Sequence, residues 1–169
     1  MNSVVYANEN GNISLHVENT DITKIGVDVV VNAANCNLKN NGGKYRLQRL
    51  YQYKCNFKRY VSTVNVTKQQ FNVGVARAIQ KAGGEQIEKE CAEYIQQHGV
   101  VKMGTADCMT SAGDLPCKNI IHTVGPQWRH YKDKSMCLKK LTNAYLNCLR
   151  RAEDEGYESI AFPVIGSGE

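Results

Sequence analysis

The feature that most constrains this chain is an apolar strand that runs straight into an asparagine and glycine loop, with the matching helix displaced downstream. Val27, Val29, Val30 and Val31 lead into Asn32-Ala33-Ala34-Asn35 and then into Gly42-Gly43. An apolar run without alternation is the pattern of a strand covered on both faces, as in a parallel sheet. Helical spacing resumes at Val75, with Ala78, Ile79 and Ala82. Strand, glycine loop and helix together form an anion site in α/β folds, because loop and helix start both offer unpaired backbone N–H groups. Here residues 44–74 separate the loop from the helix.

That segment also accounts for the charge. The chain carries +5 overall, but residues 44–74 hold seven cations (Lys44, Arg46, Arg49, Lys54, Lys58, Arg59, Lys68) and no carboxylate. The 21 basic residues less these seven leave 14 against 16 acidic ones, so the remainder is −2. Tyr45, Tyr51, Tyr53, Phe57 and Tyr60 alternate with the cations, a pattern that can bind single-stranded nucleic acid by phosphate contact and base stacking. An unselected insertion has the same composition. The edges favour insertion: Gly43-Lys44-Tyr45 is encodable as GGT-AAG-TAT, which contains a splice donor, and the codons of Asn72-Val73-Gly74 can contain an acceptor AG followed by G. Residues 44–74 therefore read as a flexible loop or translated intron.

At 169 residues the chain fits one domain with a sizeable core. It has no secretory h-region and no apolar run long enough to span a bilayer. Seven dispersed cysteines without a CxxC pair read as reduced intracellular thiols, mostly core filler, in a nuclear or cytoplasmic setting. Oligomeric state is not legible.

Along the chain, residues 4–7 and 12–18 read as a hairpin, and Thr20-Asp21 as a cap before a short helical segment at 22–25. Residues 27–33 are a buried strand, 75–97 a helix, 105–111 a short strand and 119–124 a second buried strand. A long amphipathic helix over 138–155 precedes a last buried strand at 159–165, which runs into Gly166-Ser167-Gly168. Such alternation calls for a largely parallel sheet with helices on both faces, and for ligands at the carboxyl ends of its strands.

These residues resemble a macrodomain, an ADP-ribose-binding α/β module. The resemblance is carried by Asp21-Ile22-Thr23, residues 27–35, residues 38–43 joined to 75–84, residues 111–128 and residues 159–168. Residues 111–128 are most similar to macrodomains of multi-domain proteins of the poly-ADP-ribose-polymerase superfamily. The resemblance implies a three-layer α/β/α sandwich with a mixed, largely parallel central sheet. It implies that Asp21 accepts a hydrogen bond from the adenine amino group, assisted by the Ile22 backbone, besides capping a helix. Asn35 would orient the distal ribose, besides satisfying local backbone. Gly42, Gly43 and Val75 would form one phosphate loop, and Ser167 with Gly168 the other. The implied ligand is ADP-ribose or an ADP-ribosylated protein, with no cofactor and no metal, since amides and a helix dipole suffice for a diphosphate.

Many macrodomains hydrolyse ADP-ribosyl esters of Asp or Glu, so a mono-ADP-ribosyl-protein hydrolase is the second reading. Val75-Ala76-Arg77 offers no side-chain base after the loop, which keeps binding ahead of hydrolysis. Nucleic-acid binding through residues 44–74 is the third. His122 reads as a hydrogen-bonded core histidine, Asn32 as a tie from its strand to a neighbouring loop, and Trp128 with Pro126 as a surface turn. Measured against the family, residues 1–169 read as a single incomplete macrodomain that lacks the C-terminal helix and strand. In the family's order that strand lies between the hairpin and residues 159–165.

Overall fold

A computed structural model describes residues 4–7, 14–17, 20–39 and 74–166. Val4–Ala7 (β1) and Ser14–Val17 (β2) pair antiparallel as a separate two-stranded sheet, with Val4 opposite Val17. A 3-10 turn over Ile22–Lys24 follows, capped by Asp21 as its sequence predicts.

The main sheet is built around Val29–Ala33 (β3). Asn119–Thr123 (β5) lies parallel on one side, Val29 facing Asn119 and Ala33 facing Thr123. Ile160–Ala161 (β6) lies parallel on the other, and Cys108–Ser111 (β4) pairs antiparallel with β5. The order is β4-β5-β3-β6, a mixed sheet with a parallel core. Among the described residues β6 pairs only with β3.

Three helices cover this sheet: Val75–Gly83 (α1) and Glu85–His98 (α2) on one face, and Lys134–Asp154 (α3) on the other. Val30, Ile120 and Ala161 pack with Ile79, Ile87 and Cys91, whereas Val29, Val31 and Ile121 pack with Ala144, Cys148 and Leu149. Successive β3 side chains thus enter opposite cores, which is why the strand is apolar throughout. Each of these buried aliphatic side chains contributes about 1.5–3 kcal/mol of transfer free energy. The result is the three-layer α/β/α sandwich.

Four boundaries differ from the sequence reading. The helix expected over 75–97 is two helices, because Gly84 adopts φ +85 and serves both as the end of α1 and the start of α2. A residue with a Cβ is disfavoured in that conformation, so the break is written in the glycine. The long helix begins at Lys134 rather than 138, since Asp133 accepts a hydrogen bond from the Ser135 N–H at 2.8 Å and starts it early. The last strand shrinks to two residues, as Pro163 has no N–H to extend the ladder. The strand expected over 105–111 begins only at Cys108. Gly113 fixes the turn after β4: a Cβ there would sit 1.8 Å from the Gly83 carbonyl oxygen, so this turn lies directly on the end of α1.

At the amino ends of the parallel strands, Asp28 binds all three together. Its carboxylate accepts from the Lys118 ammonium (2.8 Å), the Ser159 hydroxyl (2.9 Å) and the Glu158 N–H (2.9 Å). Its own N–H donates to Ser159 Oγ at 2.8 Å, and its carbonyl accepts from the Lys118 N–H at 2.8 Å. Burial pushes the carboxyl upward, but the Lys118, Ser159 and Glu158 bonds outweigh it and hold the group below its ordinary 3.8. A depressed folded-state value means stability present above the unfolded value and lost as pH falls through the folded one. Asp28→Ala is expected to cost about 1.5–3 kcal/mol at neutral pH, the range for hydrogen bonds to a charged group. It should also flatten the loss of stability below about pH 4, where free Asp titrates. Urea midpoints measured against pH check both; an acid limb unchanged by the substitution would contradict the assignment.

Candidate functional site

The carboxyl ends of β3, β5 and β6 face the start of α1. As β3 ends, the Ala34 N–H donates to the Thr123 carbonyl at 2.9 Å, carrying the alignment one residue past the strand. The chain then turns over residues 35–39. Asn35 Oδ1 accepts from the backbone N–H groups of Asn37 and Lys39, each at 3.1 Å, and its Nδ2 donates to the Lys39 carbonyl. The Leu38 N–H donates to the Asn35 carbonyl at 3.0 Å, while Leu38 sits buried at φ +53. A left-handed leucine costs about 1–2 kcal/mol, a cost offset here by burial of its side chain. The Val101 N–H braces the turn from outside, donating to the Cys36 carbonyl at 2.8 Å. Asn35 is therefore an exposed side chain that holds its own loop closed. One Nδ2 hydrogen stays uncommitted among the described residues.

Helix α1 starts at Gly74, whose carbonyl accepts from both the Arg77 and Ala78 N–H groups at 3.0 Å. No side chain caps this end, so the Val75 and Ala76 amides are left without partners among the described residues. The helix rests on β3 and on the Ile22–Lys24 turn, and Ile22, Leu38, Ile79 and the half-buried Val75 share one apolar cluster. That cluster brings Asp21, Ile22, the Asn35 turn and Val75 to one region. Asp21 divides its carboxylate: Oδ1 accepts from the Thr23 N–H (3.0 Å) and hydroxyl (2.7 Å). Among the described residues Oδ2 faces only the exposed Lys24 ammonium, at 3.7 Å.

The opposite lip is a backbone contact that sequence reasoning missed. A Cβ on Gly125 would lie 2.8 Å from the Gly166 nitrogen, and one on Gly166, at φ +76, would lie 2.8 Å from the Pro126 carbonyl oxygen. Gly125-Pro126 after β5 and Ile165-Gly166 after β6 are thereby pressed together. The Gly-Pro and Gly-Ser-Gly sequences were the available signal. Gly42, Gly43, Ser167 and Gly168 lie outside the described residues, as do residues 44–73 with their cations.

Beneath the site, His122 is buried and bonded as its strand position predicts. Thr110 Oγ1 donates to the Ser111 carbonyl, so at 2.9 Å it accepts from His122 Nε2; Nδ1 then accepts from Asn32 Nδ2 at 3.1 Å. Asn32 thus ties two strands together, not strand to loop as expected, and its Oδ1 is buried without a partner. Cys91 Sγ lies 3.7 Å from His122 Nε2. A hydrogen bond with Cys91, reinforced by burial, pushes the Cys108 thiol up, and burial raises Cys117 to about 11 and Cys148 to about 12. Cys108, Cys117 and Cys148 are inert packing groups. Trp128 lies in a 3-10 turn over Trp128–His130 and is half exposed. Among the described residues no acidic, histidine or cysteine group is arranged to hold a metal, and no helix is long and apolar enough to cross a membrane.

A parallel sheet core that presents unpartnered helix amides and tight glycine turns at its carboxyl edge is the frame of an anion-binding α/β module. The particular family follows from comparison: the chain belongs to the Macro domain family, whose sequence model matches residues 31–169. It is 36% identical over 157 residues to an O-acetyl-ADP-ribose deacetylase of Escherichia fergusonii, an alignment covering 91% of this chain and 68% of that protein. Among solved structures it resembles an Oceanobacillus iheyensis macrodomain with MES bound, at TM-score 0.74 and 28% identity, covering 99% of this chain and 71% of that one. A mutant of the same macrodomain with ADPR superposes at TM-score 0.73 and 28% identity, covering 99% and 72%. These curated relatives are bacterial deacetylases, not the polymerase-superfamily proteins to which residues 111–128 were likened.

Proposed function

We propose that this chain binds ADP-ribose, free or attached to a protein, across the carboxyl ends of β3, β5 and β6. The observation that carries the reading is the uncapped start of α1, whose Val75 and Ala76 amides face a site shared with the Asn35 turn and Asp21. In this reading Asp21 Oδ2 accepts from the adenine amino group beside the Ile22 backbone, while Oδ1 keeps the cap. Val75 closes one phosphate loop with Gly42 and Gly43, and Ser167 with Gly168 closes the other. The remaining Nδ2 hydrogen of Asn35 donates to the distal ribose. Amides and the α1 dipole carry the diphosphate charge.

Hydrolysis is the second reading, favoured by the name of the Escherichia fergusonii relative, whose reaction removes an acetyl ester from ADP-ribose. His122 is enclosed by Asn32 and Thr110, and Val75-Ala76-Arg77 at the start of α1 supplies no side-chain base. Ester cleavage would then rest on positioning, with water held between diphosphate and ribose.

Asp21→Ala is expected to weaken ADP-ribose binding by about 1.5–3 kcal/mol, the range for a hydrogen bond to a charged group. Asp21→Asn keeps an oxygen for the Thr23 cap, so a similar loss there, with an unchanged melting temperature, isolates the ligand role. Calorimetric titration checks both, and equal affinity across the three proteins would remove Asp21 from the site.

A further inference from the structure

On the flank of the Asn35 turn lies a basic and aromatic face that the ADP-ribose reading does not use. The Val101 N–H bonds to Cys36, so Lys102 and Met103 adjoin that turn directly. Met103 bridges Val124 at the end of β5, and the Tyr131 hydroxyl donates to Met103 Sδ at 3.0 Å. Trp128, two residues beyond Pro126, completes the face; it is 50% exposed and Met103 is 39% exposed. The loop that presents Trp128 is rigidly held. Lys134 Nζ donates to the Trp128 and Tyr131 carbonyls at 2.8 and 2.6 Å and lies 4.8 Å from the indole centroid. An exposed indole held in place by a structural lysine is pre-ordered for contact, at little entropic cost to binding.

Its charge is one-sided. Lys102, Arg129 and Lys132 are exposed, and their side chains have no hydrogen-bond or ion-pair partner among the described residues. The only carboxylate in residues 127–140 is Asp133, and it is committed to capping α3. We propose that this face docks an acidic polypeptide segment flanking an ADP-ribosylated side chain. The inference rests on the proposed placement of the distal ribose at Asn35, because a protein linked there would leave the site over Lys102, Met103 and Trp128. Rim cations opposite carboxylates favour orientation and encounter rate, and aromatic side chains supply the apolar contact.

The test uses a short synthetic peptide, mono-ADP-ribosylated on a central glutamate with flanking Asp and Glu, against residues 1–169. Controls are free ADP-ribose, the unmodified acidic peptide, the modified peptide with Asn and Gln flanks, and a single-stranded oligonucleotide. Trp128 is the only tryptophan, so its emission reports this face alone. The acidic modified peptide should bind about three- to tenfold more tightly than ADP-ribose at low salt, the gain from two exposed ion pairs. It should shift Trp128 emission, and the gain should fall as salt is raised. Arg129→Ala with Lys132→Ala should abolish the gain and leave ADP-ribose affinity unchanged. Equal binding of acidic and neutral modified peptides would overturn the proposal, as would a gain that survives the double substitution. An oligonucleotide that shifts Trp128 equally would assign the face to nucleic acid instead. If ADP-ribose binds neither residues 1–169 nor the chain lacking residues 44–74, the proposed ligand is wrong; the unmodified acidic peptide then still reads the face through Trp128, and its silence would overturn the docking surface too.

Discussion

His122→Ala is expected to lower the unfolding free energy by about 3–5 kcal/mol, the sum of a large-to-small core loss and an unsatisfied buried group. The ring lies at 1% exposure between α2 and the sheet. Its removal opens a cavity against Cys91 and leaves the Asn32 amide and the Thr110 hydroxyl each short of a partner, in a place water does not reach. Among the described residues Asn32 Oδ1 already lacks a partner, so the substitution would strand the whole amide. Because His122 and Asn32 face each other on adjacent strands, the damage spreads to the β3–β5 pairing beneath the site. Urea unfolding of His122→Ala beside the parent measures the loss. A cost below about 1 kcal/mol, the scale of an ordinary surface substitution, would show that the network does not hold these strands together.

The second large effect is a gain. Deleting residues 44–74 joins Gly43 to Val75, replacing the capping Gly74 with another glycine, so the start of α1 keeps its geometry. The 31-residue connection between the glycine pair and the helix disappears. Chain-closure entropy for a connection of that length is about 3 kcal/mol, at roughly 0.6 kcal/mol per doubling. Two charge-assisted amide bonds to a phosphate, if lost with the loop, are worth about 3–6 kcal/mol. The deletion is therefore expected to tighten ADP-ribose binding at least about a hundredfold, from roughly millimolar toward micromolar. The comparison belongs at about 0.15 M salt, where non-specific attraction to the seven cations is screened. A parent chain that binds ADP-ribose as tightly as its deletion would make residues 44–74 a tolerated loop. The intron reading of the same segment predicts transcript reads that join the codons of Gly43 and Val75; continuous coverage with unrelated edge codons would sink it.

Much of this architecture could be read from the chain because strong apolar runs decide it. Residues 27–33 and 119–124 have no polar face to offer water, so both had to be interior strands, and the cap at Asp21 was written in its side chain. What escaped was decided by backbone geometry and by distant partners. Gly84 breaks a helix whose apolar spacing continues across it, because periodicity cannot register a residue that turns φ positive. β6 shrinks because Pro163 withholds one donor from an otherwise strand-like run. The Asp28 junction joins residues more than a hundred positions apart, and no local pattern announces it. At the proposed site, the reading of Asn35 as a loop asparagine that satisfies local backbone matches its bonds, but nothing in the sequence announced that Val101 braces the turn. Those bonds depend on where β3 and β5 bring the chain together.

ADP-ribose binding by this fold is tested most directly by calorimetric titration into the chain lacking residues 44–74, after cooperative unfolding has shown that it folds. One site with roughly micromolar affinity, about −8 kcal/mol, is expected, and Asp21→Ala should weaken it. A folded protein that gives no saturable heat up to millimolar ADP-ribose would contradict it.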